Sequence, residues 1–194
     1  MFTSFAVLLI ITYCVGAIPF GLLFARWFSG KDPREHGSGN TGATNAMRTG
    51  GKKVGILTLI ADILKGAIPV TIALQLGMSE PQIMGIALAA FFGHIFPIYL
   101  KFRGGKGVAT MFGVLIPWEP VTAGISFAVW LVVFKLSRYV SLASIAAGFA
   151  LPLAATFSGA SDAAVAACLV LGGVMTIRHH ANVTRLIQGT ESKV

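Results

Sequence analysis

Residues 1–28, MFTSFAVLLIITYCVGAIPFGLLFARWF, decide the fold, because this run holds one charge, Arg26. It also exceeds the ~20 apolar residues that a spanning helix needs. A signal peptide would show a basic start and a shorter apolar centre. This run has neither, and more membrane-like sequence follows it, so it reads as a first span. The rest of the chain agrees. Of its 194 residues, 55% are hydrophobic and only 11% charged, with a mean hydropathy of +0.80. Soluble domains carry about 25% charged residues. Cys14 and Cys168 both lie in apolar runs and read as small packing residues.

Breaking the chain at its polar clusters gives apolar segments at 2–28, 54–76, 82–100, 108–117, 121–134, 139–157 and 163–177. The connections alternate in charge. Lys31, Arg34, Arg48, Lys52 and Lys53 follow the first segment, Lys101, Arg103 and Lys106 the third, Lys135 and Arg138 the fifth, and Arg178, Arg185 and Lys193 the last. The intervening turns hold only Glu80, Glu119 and Asp162. If all seven segments cross, every loop cation lies on one side. The positive-inside rule then predicts an all-α seven-helix bundle with its N-terminus outside and its C-terminus cytoplasmic. The net charge of +8 needs no nucleic-acid partner. The segment near 108–117 spans about 15 Å at ~1.5 Å per residue, half of a ~30 Å hydrocarbon core, and is expected to be a short or broken helix. With no soluble domain or linker visible, residues 1–194 read as a single polytopic membrane domain.

Three polar clusters stand apart from the apolar background: HGSGNTGATNAMR (36–48), FRGGKG (102–107) and RHHANVTRLIQGTE (178–191). The predicted topology puts all three on the cytoplasmic side, where they are expected to converge. In the second, Gly104, Gly105 and Gly107 surround Lys106 and precede a helix, an arrangement suited to an anion, although a glycine turn with a positive-inside lysine explains it as simply. The first cluster has no Lys or Glu from Gly37 to Met47, which is unusual for a merely solvated loop. In the third, a helix continuing past the last span brings Asn182 and Arg185 near one face with His179. Adjacent histidines point about 100° apart on a helix, so His179 and His180 do not make a metal site, and no metal or cofactor is expected. Asp62 and Lys65, four residues of helix inside an apolar run, are expected to pair, with a phosphate contact through Lys65 as the alternative. No G-x-S-x-G elbow or polar cysteine setting supports covalent catalysis.

Taken together, GSGNTGATNAMR, GHIFPIYLKFRGGKGVAT and RHHANVTRLIQGTE resemble the three signature regions of the bacterial PlsY family, the acyl-phosphate-dependent glycerol-3-phosphate acyltransferases. The resemblance runs from Pro19 to Glu191. It implies an inner-membrane enzyme of phospholipid synthesis that moves a fatty acyl group from acyl phosphate to the 1-hydroxyl of glycerol 3-phosphate, giving lysophosphatidic acid and phosphate. Its partners would be the two substrates, the bilayer and the enzyme that supplies acyl phosphate. Carried over by motif, the catalytic residues are Ser38, Arg48, Lys106, His179 and Asn182, with Arg185 and Glu191 in support. His180 stands where relatives often carry arginine, and His179 is taken as the functional imidazole. Substrate phosphate would be held by Gly39, Asn40, Thr41, Gly42, Ala43, Thr44, Asn45, Gly104, Gly105 and Gly107. Acyl phosphate is already activated, so positioning and charge stabilisation supply most of the catalysis. The proton goes either to His179 or to a phosphate oxygen of the donor itself. The rival class is an anion or phosphate transporter with 108–117 as a re-entrant filter. That design needs polar groups reaching both faces, whereas these cluster on one.

Overall fold

A computed structural model describes residues 2–193 and contains no strand among them. The helices are α1 (Phe2–Gly16), α2 (Phe20–Ser29), α3 (Ala43–Gly50), α4 (Lys52–Gln75), α5 (Glu80–Ile95), α6 (Val108–Trp118), α7 (Pro120–Ser137), α8 (Val140–Phe157), α9 (Asp162–Ile177) and α10 (His180–Ile187). Among the described residues, five stretches are long and apolar enough to cross a bilayer: Ser4–Ser29, Lys52–Gln75, Glu80–Leu100, Pro120–Ser137 and Val140–Phe157. A sixth arises if α9 and α10, bent by 53° from one another, form one span. The protein is thus an all-α, multi-pass integral membrane protein. The eleven residues of α6 reach only about 16 Å, as the sequence led us to expect.

The long helices are inside out relative to a soluble bundle. Along α4, Ile56, Leu59, Ile60, Leu64, Ile68 and Ile72 are exposed, while Thr58, Asp62 and Lys65 are buried. This is the arrangement a lipid solvent favours: aliphatic groups outward and ionisable groups against other helices.

Two helix boundaries differ from the sequence reading. The apolar run 2–28 is not one helix but breaks between α1 and α2 at Ala17–Pro19, because Pro19 has no amide hydrogen to continue the ladder. The tail does not continue the last span either. α9 ends at Ile177 and α10 starts afresh after His179, across the 53° bend.

Backbone packing divides the chain into two compact units, Met1–Pro117 and Trp118–Val194. In the first, glycines let helices touch backbone to backbone. A Cβ on Gly16 would run into Ala90 of α5, one on Gly93 into Tyr13 of α1, and one on Gly113 of α6 into Ile63 of α4. Without a hydrophobic driving force in lipid, such close approach is a main source of helix association. In the second unit, α8 and α9 meet in the same way at Gly148 and Gly172. The Ser126 hydroxyl donates to Ala147 O at 3.1 Å and the Trp130 indole to Ser144 at 3.2 Å, tying α7 to α8.

Candidate active site

The loop between α2 and α3 is built on two buried side chains. Asp32 accepts from the Arg34 guanidinium at 2.6 and 3.0 Å and from Arg26 at 2.8 Å. The hydrogen bonds from Arg34 are the main reason that its carboxyl lies far below the usual carboxylate range, against an opposing push from burial. Asn45, in the first turn of α3, gathers the rest of the loop. Its amide donates to Pro33 O, His36 O and Asn40 O at 2.7, 3.0 and 2.9 Å, and its carbonyl accepts from the Ser38 amide at 2.9 Å. This wrap requires Gly37, whose φ is +59° and where any Cβ would collide with the Asn45 carbonyl oxygen.

These bonds sort the predicted phosphate-binding residues. The Asn45 side chain is spent within the loop, as are the amides of Gly39, donated to His36 O, and Gly42, donated to the Asn40 side chain. What remains is the start of α3. Gly42 caps it with no side-chain acceptor, so the first-turn amides of Ala43, Thr44 and Asn45 and the helix dipole are suited to an anion. Ser38 and Arg48 are exposed beside the loop, and Thr41 is buried.

Beneath Thr41 the break between α1 and α2 opens onto a polar recess of about 10 Å³, room for roughly one water. Asp62, Lys65, His94 and Pro97 line its other walls. The predicted pairing of Asp62 with Lys65 is observed at 2.8 Å, and the imidazole Nδ1 of His94 lies 3.6 Å from the same carboxylate oxygen. Lys65 also donates to Ile18 O at 3.1 Å, a carbonyl next to the helix break. Irregular backbone at membrane depth survives where protein satisfies it in this way.

The glycine loop that carries Lys106 rests on the same group. Gly104 N donates to Ile95 O at 3.2 Å and Gly105 N to His94 O at 3.1 Å. Their lack of side chains is a packing requirement: a Cβ on Gly104 would strike His94 O, and one on Gly105 the His94 ring. Both amides therefore hold the loop against α5 and are not turned toward a ligand. Gly107 has a φ of +88° and lies against the Phe91 ring, turning the chain into α6.

In the second unit, His179 and Asn182 are buried. His179 Nδ1 lies 2.8 Å from Met175 O. A carbonyl only accepts, so Nδ1 carries the hydrogen and the neutral ring offers Nε2 as its basic atom. Glu191 folds the tail back onto α10. It accepts from Asn182 at 2.6 Å, from Ser141 of α8 at 2.7 Å and from the Arg185 Nε at 2.7 Å. Burial pushes the Glu191 carboxyl up, but these three donors and the Arg185 charge outweigh it and hold the pKa below the usual value. His180 is exposed, its Nδ1 3.1 Å from Ile177 O.

Sequence reading missed Asp32 as the loop anchor, His94 as part of the buried ionic group and Ser141 as a partner of Glu191. The one available signal was Pro19 inside the first apolar run. It marks a break, and a break in lipid demands polar partners.

A membrane-embedded helical protein whose polar loops gather backbone amides and cations is suited to anions beside lipid. The profile of the glycerol-3-phosphate acyltransferase family matches residues 6–189, and the chain belongs to that family of acyltransferases. It is 45% identical over 192 residues to the glycerol-3-phosphate acyltransferase of Syntrophotalea carbinolica, covering 98% of each chain. It is 47% identical over 181 residues to that of Trichlorobacter lovleyi, covering 93% of each. The fold is similar to the crystal structure of PlsY (YgiH), an integral membrane glycerol 3-phosphate acyltransferase, in its glycerol 3-phosphate form. That match has a TM-score of 0.94 and 41% identity, covering 98% of this chain and 96% of the other. The lysophosphatidic acid form matches with a TM-score of 0.90 and 39% identity, covering 98% and 95%.

Proposed function

We propose that this acyltransferase moves a fatty acyl group from acyl phosphate to the 1-hydroxyl of glycerol 3-phosphate. The attacking oxygen forms a bond to the acyl carbonyl carbon, the carbon–oxygen bond to phosphate breaks, and lysophosphatidic acid and inorganic phosphate leave. The observation that carries the reading is the near full-length likeness to an enzyme solved in both a glycerol 3-phosphate form and a lysophosphatidic acid form. Acyl phosphate as donor is supported by the chain's chemistry. A mixed anhydride needs no protein nucleophile, and both cysteines sit within apolar helices, Cys168 fully buried. Phosphate also leaves without a strong acid, since it is a stable anion at neutral pH.

In this reading the first-turn amides of α3 and Lys106 hold the acyl phosphate head group, while Ser38, Arg48, His179 and Asn182 orient glycerol 3-phosphate. Asn45, Gly104 and Gly105 act by fixing the loops. The proton of the 1-hydroxyl passes to His179 Nε2 or to an oxygen of the departing phosphate. With α6 counted as a crossing, the charge alternation of the loops favours an external N-terminus and a site at the cytoplasmic face of the inner membrane.

The test is phosphate release by purified protein in detergent from palmitoyl phosphate, with and without glycerol 3-phosphate, beside palmitoyl-CoA and a Lys106→Ala variant. Release that needs both substrates and is lost in the variant is expected. Lysophosphatidic acid formed from palmitoyl-CoA alone, read as free CoA thiol, or no phosphate release from folded protein given palmitoyl phosphate, overturns the proposal.

A further inference from the structure

We propose that the buried Asp62–His94 pair, tied by Lys65 to the break between α1 and α2, is a positioning clamp for the glycine loop that carries Lys106. The inference deepens the acyl-phosphate reading and rests on it for the identity of the ligand that Lys106 meets.

The observations form one chain of contacts inside the first unit. Lys65 joins Ile18 O to Asp62, with distances of 3.1 and 2.8 Å. Asp62 in turn faces His94 Nδ1 at 3.6 Å. The other side of the His94 ring presses on Gly105, where no Cβ fits. The backbone of the same histidine and its neighbour accept the Gly105 and Gly104 amides at 3.1 and 3.2 Å. His94 is thus held from one side by a carboxylate and holds the loop from the other. Asp62 is 2% exposed, Lys65 4% and His94 7%, so the linkage is shielded from bulk water.

Three ionisable groups at membrane depth are a costly way to fill space. Charges inside spans are usually tied to function, and an aliphatic trio would pack the same volume without the desolvation cost. A positioning role accounts for the choice. An imidazole fixed by a carboxylate has one orientation, and the lysine next to Gly105 takes its place from that orientation. Misplacing a binding group by about 1 Å costs a large factor in rate.

The test uses the full-length protein in detergent with two variants, His94→Gln and the double variant Asp62→Asn/Lys65→Met. The second removes both charges at similar volume and so leaves no lone buried charge to prevent folding. Two readouts are taken. The first is the KM for palmitoyl phosphate against that for glycerol 3-phosphate. The second is the mobility of a nitroxide on Arg103→Cys, beside the glycine loop, against one on Lys31→Cys in the α2–α3 loop, with both native cysteines replaced.

The expected result is a rise in palmitoyl phosphate KM of about ten-fold or more, glycerol 3-phosphate KM within about two-fold, and increased mobility at 103 but not at 31. Equal rises in both KM values with mobility gained at both positions would mean general loosening and would overturn the clamp. Unchanged KM and mobility would overturn it as well. Mobility gained only at 103, in a protein whose unaltered form never turns over palmitoyl phosphate, would keep the clamp and sink the acyl-phosphate reading.

Discussion

Asn45 and Glu191 each sit under a polar segment and each collects its hydrogen bonds into one side chain, but the first spends a neutral amide and the second an ionised carboxylate. Asn45 serves three backbone carbonyls and one backbone amide of its own loop. Glu191 serves side chains from α8 and α10. The chemistry follows from what each must hold. Backbone carbonyls of a glycine-rich loop need donors and no charge, whereas Ser141, Asn182 and Arg185 all bring donors and need an acceptor. The amide hub is indifferent to pH and intolerant of any change in its donor pattern. The carboxylate hub is stronger per bond and is coupled to protonation.

Changing Asn45 to Asp breaks the first hub most severely. The substitution is nearly isosteric but presents an oxygen to three carbonyl oxygens; His36 O keeps the Gly39 amide, whereas Pro33 O and Asn40 O lose the Asn45 donor at about 1–3 kcal/mol each. We expect loss of activity beyond about 100-fold together with a marked fall in thermal midpoint, read by phosphate release and by melting in detergent. Activity near that of the unaltered protein would show that the loop is held by Asp32 alone.

His179→Gln tests what the second hub presents. If Nε2 takes the proton, kcat falls by about 10²–10⁴, with little change in the KM for glycerol 3-phosphate. A kcat close to normal with a raised KM assigns the proton to the donor phosphate and leaves His179 an orienting role.

Glu191→Gln is the milder break. Glutamine still accepts from Ser141 and Asn182, but its amide must face the Arg185 Nε donor. A fall in kcat/KM of about ten-fold, or ~1.4 kcal/mol, is expected.

Acid separates the two hubs in the unaltered protein. A depressed folded pKa means that Glu191 contributes its full stabilisation above the unfolded value of about 4.3 and loses it as pH falls through the folded value. Asp32 is displaced further down by Arg34, and Asn45 does not titrate. On acidification below about pH 4, amide exchange at 190–192 is therefore expected to quicken before that at 34–38. Simultaneous loosening would show that the two segments melt with the whole protein.

The apolar helices were legible because lipid imposes a length and a composition, and the apolar segments from 54–76 through 163–177 match α4 to α9 within a few residues. The break at Ala17–Pro19 was less so, because hydropathy does not see a missing backbone hydrogen bond. The site was legible as residue types and not as roles. Asn45, Gly104 and Gly105 carry the family pattern, yet their bonds are turned inward, a distinction made by φ angles and partners remote in sequence. His94 lies in the second family region, yet its role gave no signal, since its partner Asp62 lies 32 positions away on another helix.

The smallest effect is expected from His180→Gln, and it sharpens the comparison at the second hub. His180 is adjacent to His179, and its Nδ1 likewise approaches a backbone carbonyl, Ile177 O at 3.1 Å. The two imidazoles differ in burial: His179 is 3% exposed and His180 is open to solvent. An exposed ring held by one backbone bond contributes little to stability, so kcat/KM should stay within about two-fold, the scale of an ordinary surface change. Should His180→Gln instead lower kcat as far as His179→Gln does, the exposed ring would be the one that meets glycerol 3-phosphate. The buried ring would then serve the turn between α9 and α10, with its bond to Met175 O as the reason for its presence.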